Sequence, residues 1–224
     1  MTGIKSFRSV VWKRFPRSGM PEVFESRAHF DGFVQDLIDA KCIDNGKKIW
    51  WDIRPHPFFD TIEFRICDMP ATIEDTLAIA AFCQALVAKL TQLNERGEDV
   101  PVLKRDYIEE NKWRAMRYGL DAEVVDFVGH RRLSMRDAIR ETLDFVDDVV
   151  DELGSRREMN YLRVLLDDPH GTGADRQIAI YQETNDVQKV NQFLIEQTIR
   201  DVDLDDALFS DKYLRFLPYV INKV

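Results

Sequence analysis

Ile49-Trp-Trp-Asp-Ile-Arg-Pro-His-Pro-Phe-Phe-Asp-Thr-Ile-Glu-Phe-Arg-Ile-Cys-Asp68 reads as two strands around a proline-broken connection. Alternate side chains of a strand point to opposite faces. In the first strand Ile49, Trp51 and Ile53 share one face, and Trp50, Asp52 and Arg54 the other. In the second, Ile62, Phe64 and Ile66 form an apolar row opposite Thr61, Glu63, Arg65 and Cys67. With both apolar rows packed on a core, Asp52, Arg54, Glu63 and Arg65 line one surface. Such a surface offers carboxylate oxygens for a hard cation and guanidinium forks for phosphate or carboxylate. The same alternation also suits the wet face of an ordinary antiparallel sheet, braced by cross-strand Glu–Arg pairs.

Working outward, Glu25 to Lys41 carries Phe30, Phe33, Val34, Leu37 and Ile38 at three- and four-residue steps, the stripe of an amphipathic helix. Asp44-Asn45-Gly46 is a turn leading into the strand pair. On the far side Thr72 caps a helix over Ile73–Asn94 with Asp75 at its third position. From Leu77 to Leu90 this helix is apolar on nearly every side, which predicts a buried central position; Gly97 stops it. A charged helix over 104–118 carries Lys112, Arg114 and Arg117. Ser134 to Leu153 reads as one helix, capped by Ser134, ended by Gly154 and acidic on its outer face. Helices over Arg157–Leu166, from Ala174 and over Val187–Arg200 complete the pattern. Upstream, Lys5, Arg8, Lys13, Arg14 and Arg17 make residues 1–24 a basic edge, with Ser9–Phe15 a strand or a short helix.

Several segments carry a family resemblance. Ile62-Glu-Phe-Arg-Ile-Cys-Asp68 before a long Ala-rich helix resembles the carboxylate–amine ligases, including the second type of glutamate–cysteine ligase. More distantly it is similar to the Glu-x-Arg-x-x-Asp strand of glutamine synthetase. Ser6-Phe7-Arg8, Trp12-Lys13-Arg14-Phe15-Pro16, Trp51-Asp52-Ile53-Arg54-Pro55, Trp113 to Leu120 and Gly171-Thr-Gly-Ala-Asp-Arg-Gln177 extend the likeness in order along most of the chain. The family's Gly-x-Glu-x-Glu strand, with further metal ligands, has no counterpart here. The chain is therefore expected to match the second half of a ligase, as a fragment or as the mate of a separate N-terminal piece.

The resemblance implies an α+β domain: a small antiparallel sheet covered on one face by helices, part of a glutamine-synthetase-like fold, with a mostly helical C-terminal portion. It implies ATP-dependent joining of a glutamate-like acid to an amine through an acyl phosphate, with ATP and Mg2+ required. Glu63 is then the metal ligand, Arg65 the phosphate contact and Arg54 a phosphate or carboxylate contact oriented by Asp52. Arg8, Arg114 and Arg117 are candidates for binding substrate. An exposed helix of mixed charge accounts equally for Arg114 and Arg117. The competing reading is a non-catalytic remnant acting as an interaction or scaffold protein.

Composition narrows the classes. A chain 45% hydrophobic and 32% charged is that of a folded domain, and a net charge of −9 argues against a nucleic-acid platform. Cys42, Cys67 and Cys83 form no Cys-x-x-Cys pair, which predicts reduced, buried thiols in a cytoplasmic protein rather than a zinc ribbon or disulfide framework. The apolar run Leu77–Leu90 is too short to span a bilayer, so no membrane partner is expected. The histidines are scattered, and His56, between two prolines, reads as a loop residue. Gly171-Thr-Gly173 lacks the spacing of a Walker motif and reads as the start of a helix. Residues 201–224, with Tyr213-Leu-Arg-Phe-Leu-Pro-Tyr219, have no family counterpart and are expected to dock on the body or on a second subunit, as in a homodimer.

Overall fold

The structure is a computed structural model that describes residues 2–200. Residues 201–224, for which a docking role is expected, lie outside the described residues. The fold is α+β, as the sequence implies. The elements run α1 (Phe7–Trp12), β1 (Ser18–Gly19), α2 (Arg27–Asp39), β2 (Trp50–Trp51), β3 (Ile53–Pro55), β4 (Ile62–Phe64) and α3 (Ile73–Glu95). They continue with α4 (Arg105–Tyr118), β5 (Glu123–Asp126), β6 (Arg131–Ser134), α5 (Met135–Phe145), α6 (Asp147–Val150), α7 (Arg156–Leu166), α8 (Gly173–Thr184) and α9 (Val187–Ile199).

The strand following Ile49 is not continuous. Trp50–Trp51 pairs in parallel with Ser18–Gly19, and Ile53–Pro55 pairs antiparallel with Ile62–Phe64. The changeover falls at Asp52, whose carbonyl accepts from the backbone N–H of both Arg65 and Ile66, at 2.7 and 3.1 Å. The β5–β6 hairpin forms a third two-stranded ribbon among the described residues. It went unforeseen because Glu123-Val-Val-Asp126 and Arg131-Arg-Leu-Ser134 are short and half polar.

Two apolar cores hold these parts. In one, Ala81 and Ala85 of α3 meet Leu143, Val146, Val150, Met159 and Leu166. In the other, Ile49 and Trp51 pack with Phe30 and Ile43, and Phe33 stacks on the Trp51 ring at 5.5 Å between centroids. Thr72 and Ser134 cap their helices as expected, each accepting a backbone N–H of the first turn; Ser26 caps α2, which starts two residues later than expected, and Thr172 and Asp175 form a reciprocal capping box. The expected single helix 134–153 is broken at Val146, which is fully buried. Its acidic outer face is solvated and paired, with Asp144 bound to Arg163, Asp148 to Lys89, and Asp147 and Asp151 to Arg156.

Two expectations need correction. The helix α3 is not buried all round: Ala78, Ala81 and Ala85 are buried, whereas Ile73 and Leu77 on other sides are about half exposed. Helix propensity carries the segment past Leu90 to Glu95, so its 23 residues are long and apolar enough, by length and composition, to cross a membrane. The basic edge of residues 1–24 is tied down rather than free. Lys5 pairs with Asp175, Lys13 with Glu109 at 2.5 Å, and Ser6 N–H donates to the Met116 carbonyl. Lys5 crosses directly over Gly119, whose φ of +59° ends α4 and where an added Cβ would lie 3.2 Å from the lysine stem.

Candidate active site around Glu63

The β3–β4 register sets Arg54 opposite Glu63. Arg54 is only 2% exposed, and all its donor nitrogens are engaged. Its Nε and Nη2 donate to Glu63 Oε2 at 3.0 and 2.7 Å, and Nη1 donates to the carbonyls of Gly46 and Ile49 at 2.7 and 2.6 Å. On the other side Arg65 Nη2 reaches Glu63 Oε1 at 2.9 Å. Glu63 is thus clamped between two guanidiniums. Partial burial pushes its carboxyl up, but Arg54 and then Arg65 outweigh this and hold it below the usual carboxylate range.

Ile49 and Trp51 pack on a core as expected, but from Asp52 onward the expected arrangement is reversed and the polar side is the more covered one. Asp52 and Arg54 are buried, while Ile53 and Ile62 are 40% and 50% exposed. The loop Gly46–Ile49 roofs Arg54 and supplies the carbonyls that compensate its desolvation. Asp52 does not orient Arg54. It receives Lys112 Nζ at 2.5 Å, a nearly buried pair that joins α4 to the strands. Sequence reasoning placed Lys112 on its helix but gave it no role; only the tertiary approach of α4 shows it facing Asp52.

Arg65 differs from Arg54 in one respect. Its Nε is buried and has no hydrogen-bond partner, a spare donor next to the clamped carboxylate. Arg8 lies over the Trp12 ring and lines a narrow recess with Asp52, Ile66 and Lys112, so α1 brings it close to the strand. Arg114 and Arg117 are held elsewhere. Arg114 pairs with Glu110 and donates to the Glu123 carbonyl, while Arg117 donates to the Gly3 carbonyl and lies over Tyr118. His56 is a loop residue, its Nδ1 accepting the Phe58 N–H and its ring stacked on Phe59.

Among the described residues no group of three or more His, Cys, Asp or Glu side chains could hold a metal ion. Glu63 is one carboxylate with both oxygens already bonded to arginine. By itself this donor set does not fit a resident Mg2+, which requires octahedral oxygen coordination. Among the described residues the one unsatisfied polar group beside it is the buried Nε of Arg65, a donor.

The three cysteines are free thiols. Cys42 is exposed rather than buried as expected, and Cys67 and Cys83 are partly exposed. Cys67 follows β4 and faces Cys83 on α3; a hydrogen bond from Cys83, against partial burial, brings its thiol down to about 7. The same contact, followed by burial, pushes the Cys83 thiol up. Iodoacetamide labelling followed by peptide mass spectrometry is expected to give a Cys67 rate with its midpoint near pH 7, with Cys83 unlabelled beside it. A Cys67 midpoint at the ordinary thiol value of about 8.5 would contradict the contact.

Comparison with known proteins places the chain in a family. The glutamate–cysteine ligase family 2 model matches residues 1–193. A protein of Solibacter usitatus named "Putative glutamate--cysteine ligase 2" is 50% identical over 197 residues, 88% of this chain and 51% of that protein. One of the same name from Chloroflexus aggregans is 48% identical over 201 residues, 90% of this chain and 51% of its own length. The chain spans about half the length of these curated relatives. On the extent of the family match, the chain belongs to glutamate–cysteine ligase family 2.

Proposed function

We propose that this chain supplies the phosphate-gripping strand of an ATP-dependent carboxylate–amine ligase of the glutamate–cysteine type. The observation that carries the reading is the unpartnered, buried Nε of Arg65 beside a carboxylate fixed by Arg54. A buried donor without a partner is costly, and an anionic oxygen arriving there removes that cost.

In this reading a side-chain carboxylate oxygen of a glutamate-like acid attacks the γ-phosphorus of ATP and ADP leaves. The resulting acyl phosphate is then displaced at its carbonyl carbon by an amine such as that of cysteine, forming the amide and releasing phosphate. Arg65 stabilises charge on the transferring phosphoryl oxygens. Arg54 keeps Glu63 ionised and in place, so that Glu63 in turn fixes the Arg65 plane. Arg8, reached from α1, is the residue of this chain best placed to bind a substrate anion at the same strand. Arg114 and Arg117 keep structural partners and take no part. A divalent ion would neutralise ATP phosphates in this class of reaction; Glu63, with both oxygens engaged by arginine, does not by itself hold one. The setting is an ATP-rich, reducing compartment, the cytoplasm, in keeping with three free thiols.

Isothermal titration with Mg-ATP tests the assignment. The expected result is a resolved, Mg-dependent heat that Arg65→Ala weakens by about 10- to 100-fold, the worth of one charged hydrogen bond. Absence of heat from the chain complemented to full family length would instead favour the remnant that acts only as an interaction protein.

A further inference from the structure

A groove of about 920 Å³ runs between the β3–β4 hairpin and α3. Its floor on α3 is a stripe at helical spacing, Thr76, Ile79, Ala80, Cys83, Gln84 and Val87. This is a different stripe from Ala78, Ala81 and Ala85, which face inward. The helix is apolar on two sides: one is covered by the α5–α7 core, and among the described residues nothing covers the other. Opposite it, Ile62 and Phe64 of β4 and Phe59 line the wall, with Ile62 and Phe59 50% and 66% exposed.

The adjoining sheet edge is also open. Thr61, Glu63 and Arg65 turn their backbone groups towards the first strand, as the bonds from His56 N–H to the Thr61 carbonyl and from Arg65 N–H to the Asp52 carbonyl require. In an antiparallel ladder the alternate residues, Ile62 and Phe64, then direct theirs outward. No described strand pairs with that edge. An open edge beside an uncovered apolar groove is the arrangement that accepts an added strand with apolar side chains.

The relatives indicate the occupant, because each has about as much chain outside the matched region as inside it. We propose that the groove and the outer edge of β4 are the docking face for that other half of a family-length polypeptide, an extended segment of which adds to β4 and lays apolar side chains against α3. The proposal concerns assembly and stands whether or not the assembled protein joins an acid to an amine.

The test co-expresses the chain with the unmatched half of the Solibacter usitatus relative and measures mass by light scattering after size-exclusion chromatography. The expected result is a 1:1 complex in which hydrogen exchange shows new protection of the Ile62 and Phe64 amides. Ile62→Lys and Ala80→Lys, both at exposed positions, are expected to weaken the complex at least tenfold while circular dichroism and thermal unfolding of the chain alone stay unchanged. A chain that remains uncomplexed overturns the proposal. So does a complex indifferent to both substitutions, a homodimer that they dissociate, or binding to phosphatidylcholine vesicles through this face.

Discussion

Glu63→Ala is expected to destabilise the folded chain by about 3 kcal/mol, the lower end of the cost of stranding one partner of a buried ion pair. The lower end applies because Glu63 is itself one-third exposed, while Arg54 is 3% exposed at its side chain and has no other anionic partner among the described residues. Its remaining bonds, to the Gly46 and Ile49 carbonyls, satisfy one nitrogen but neutralise no charge. Glu63→Gln keeps an acceptor and is expected to cost less than Glu63→Ala. Urea unfolding followed by tryptophan fluorescence separates the variants, since Trp50 and Trp51 precede the hairpin. If the proposed function holds, turnover of the assembled protein disappears in both, so a Gln variant that is folded but inactive distinguishes a role at the site from a role in the fold. The sign of the pH dependence follows from the lowered carboxyl. The contribution of Glu63 is fully present above its ordinary value of 4.5 and is lost as pH falls through the lower folded-state value. Wild type is therefore expected to lose stability on acidification below that value more steeply than Glu63→Gln.

The second large effect is expected at the joint between α4 and the strands. Asp52 and Lys112 side chains are 7% and 13% exposed and 2.5 Å apart. Lys112→Met leaves a buried carboxylate without its cation and is expected to cost about 3–5 kcal/mol. The double variant Asp52→Asn with Lys112→Met removes both charges and is expected to recover most of that loss, because an uncharged pair needs no compensation in a dry site. Equal losses in the single and double variants would show that packing of the lysine stem, rather than the charge, holds α4 in place.

Much of the fold is legible in local chemistry. Thr72, Ser134 and Thr172 mark helix starts because a side-chain oxygen there satisfies a free backbone N–H, and this needs no distant partner; Ser26 does the same, but lies inside the expected Glu25–Lys41 helix. Arg54, Glu63 and Arg65 were traceable because strand alternation puts the last two on one face and the cross-strand register adds the first. What period-two alternation could not give was which face is covered. That depended on the Gly46–Ile49 loop folding over Arg54, and on the change of strand partner at Asp52 that turns Ile53 outward. The same limit applies to Lys112, Arg114 and Arg117: one helix carries all three, and tertiary contact alone chooses the lysine. For α3, an apolar surface on nearly every side was read as burial, when it marks two contact stripes of which one is filled.

The pair between Lys5 and Asp175 spans 170 positions of the chain. During synthesis the lysine leaves the ribosome long before its aspartate exists, so this clasp closes only after nearly all of the described chain has been made. Until then α1 has no anchor on α8, and the recess that holds Arg8 is shaped by shorter-range contacts alone. The segment that carries Arg8 is thus held in part by a residue near the far end of the described chain, and its final placement is an outcome of completed folding rather than of local preference.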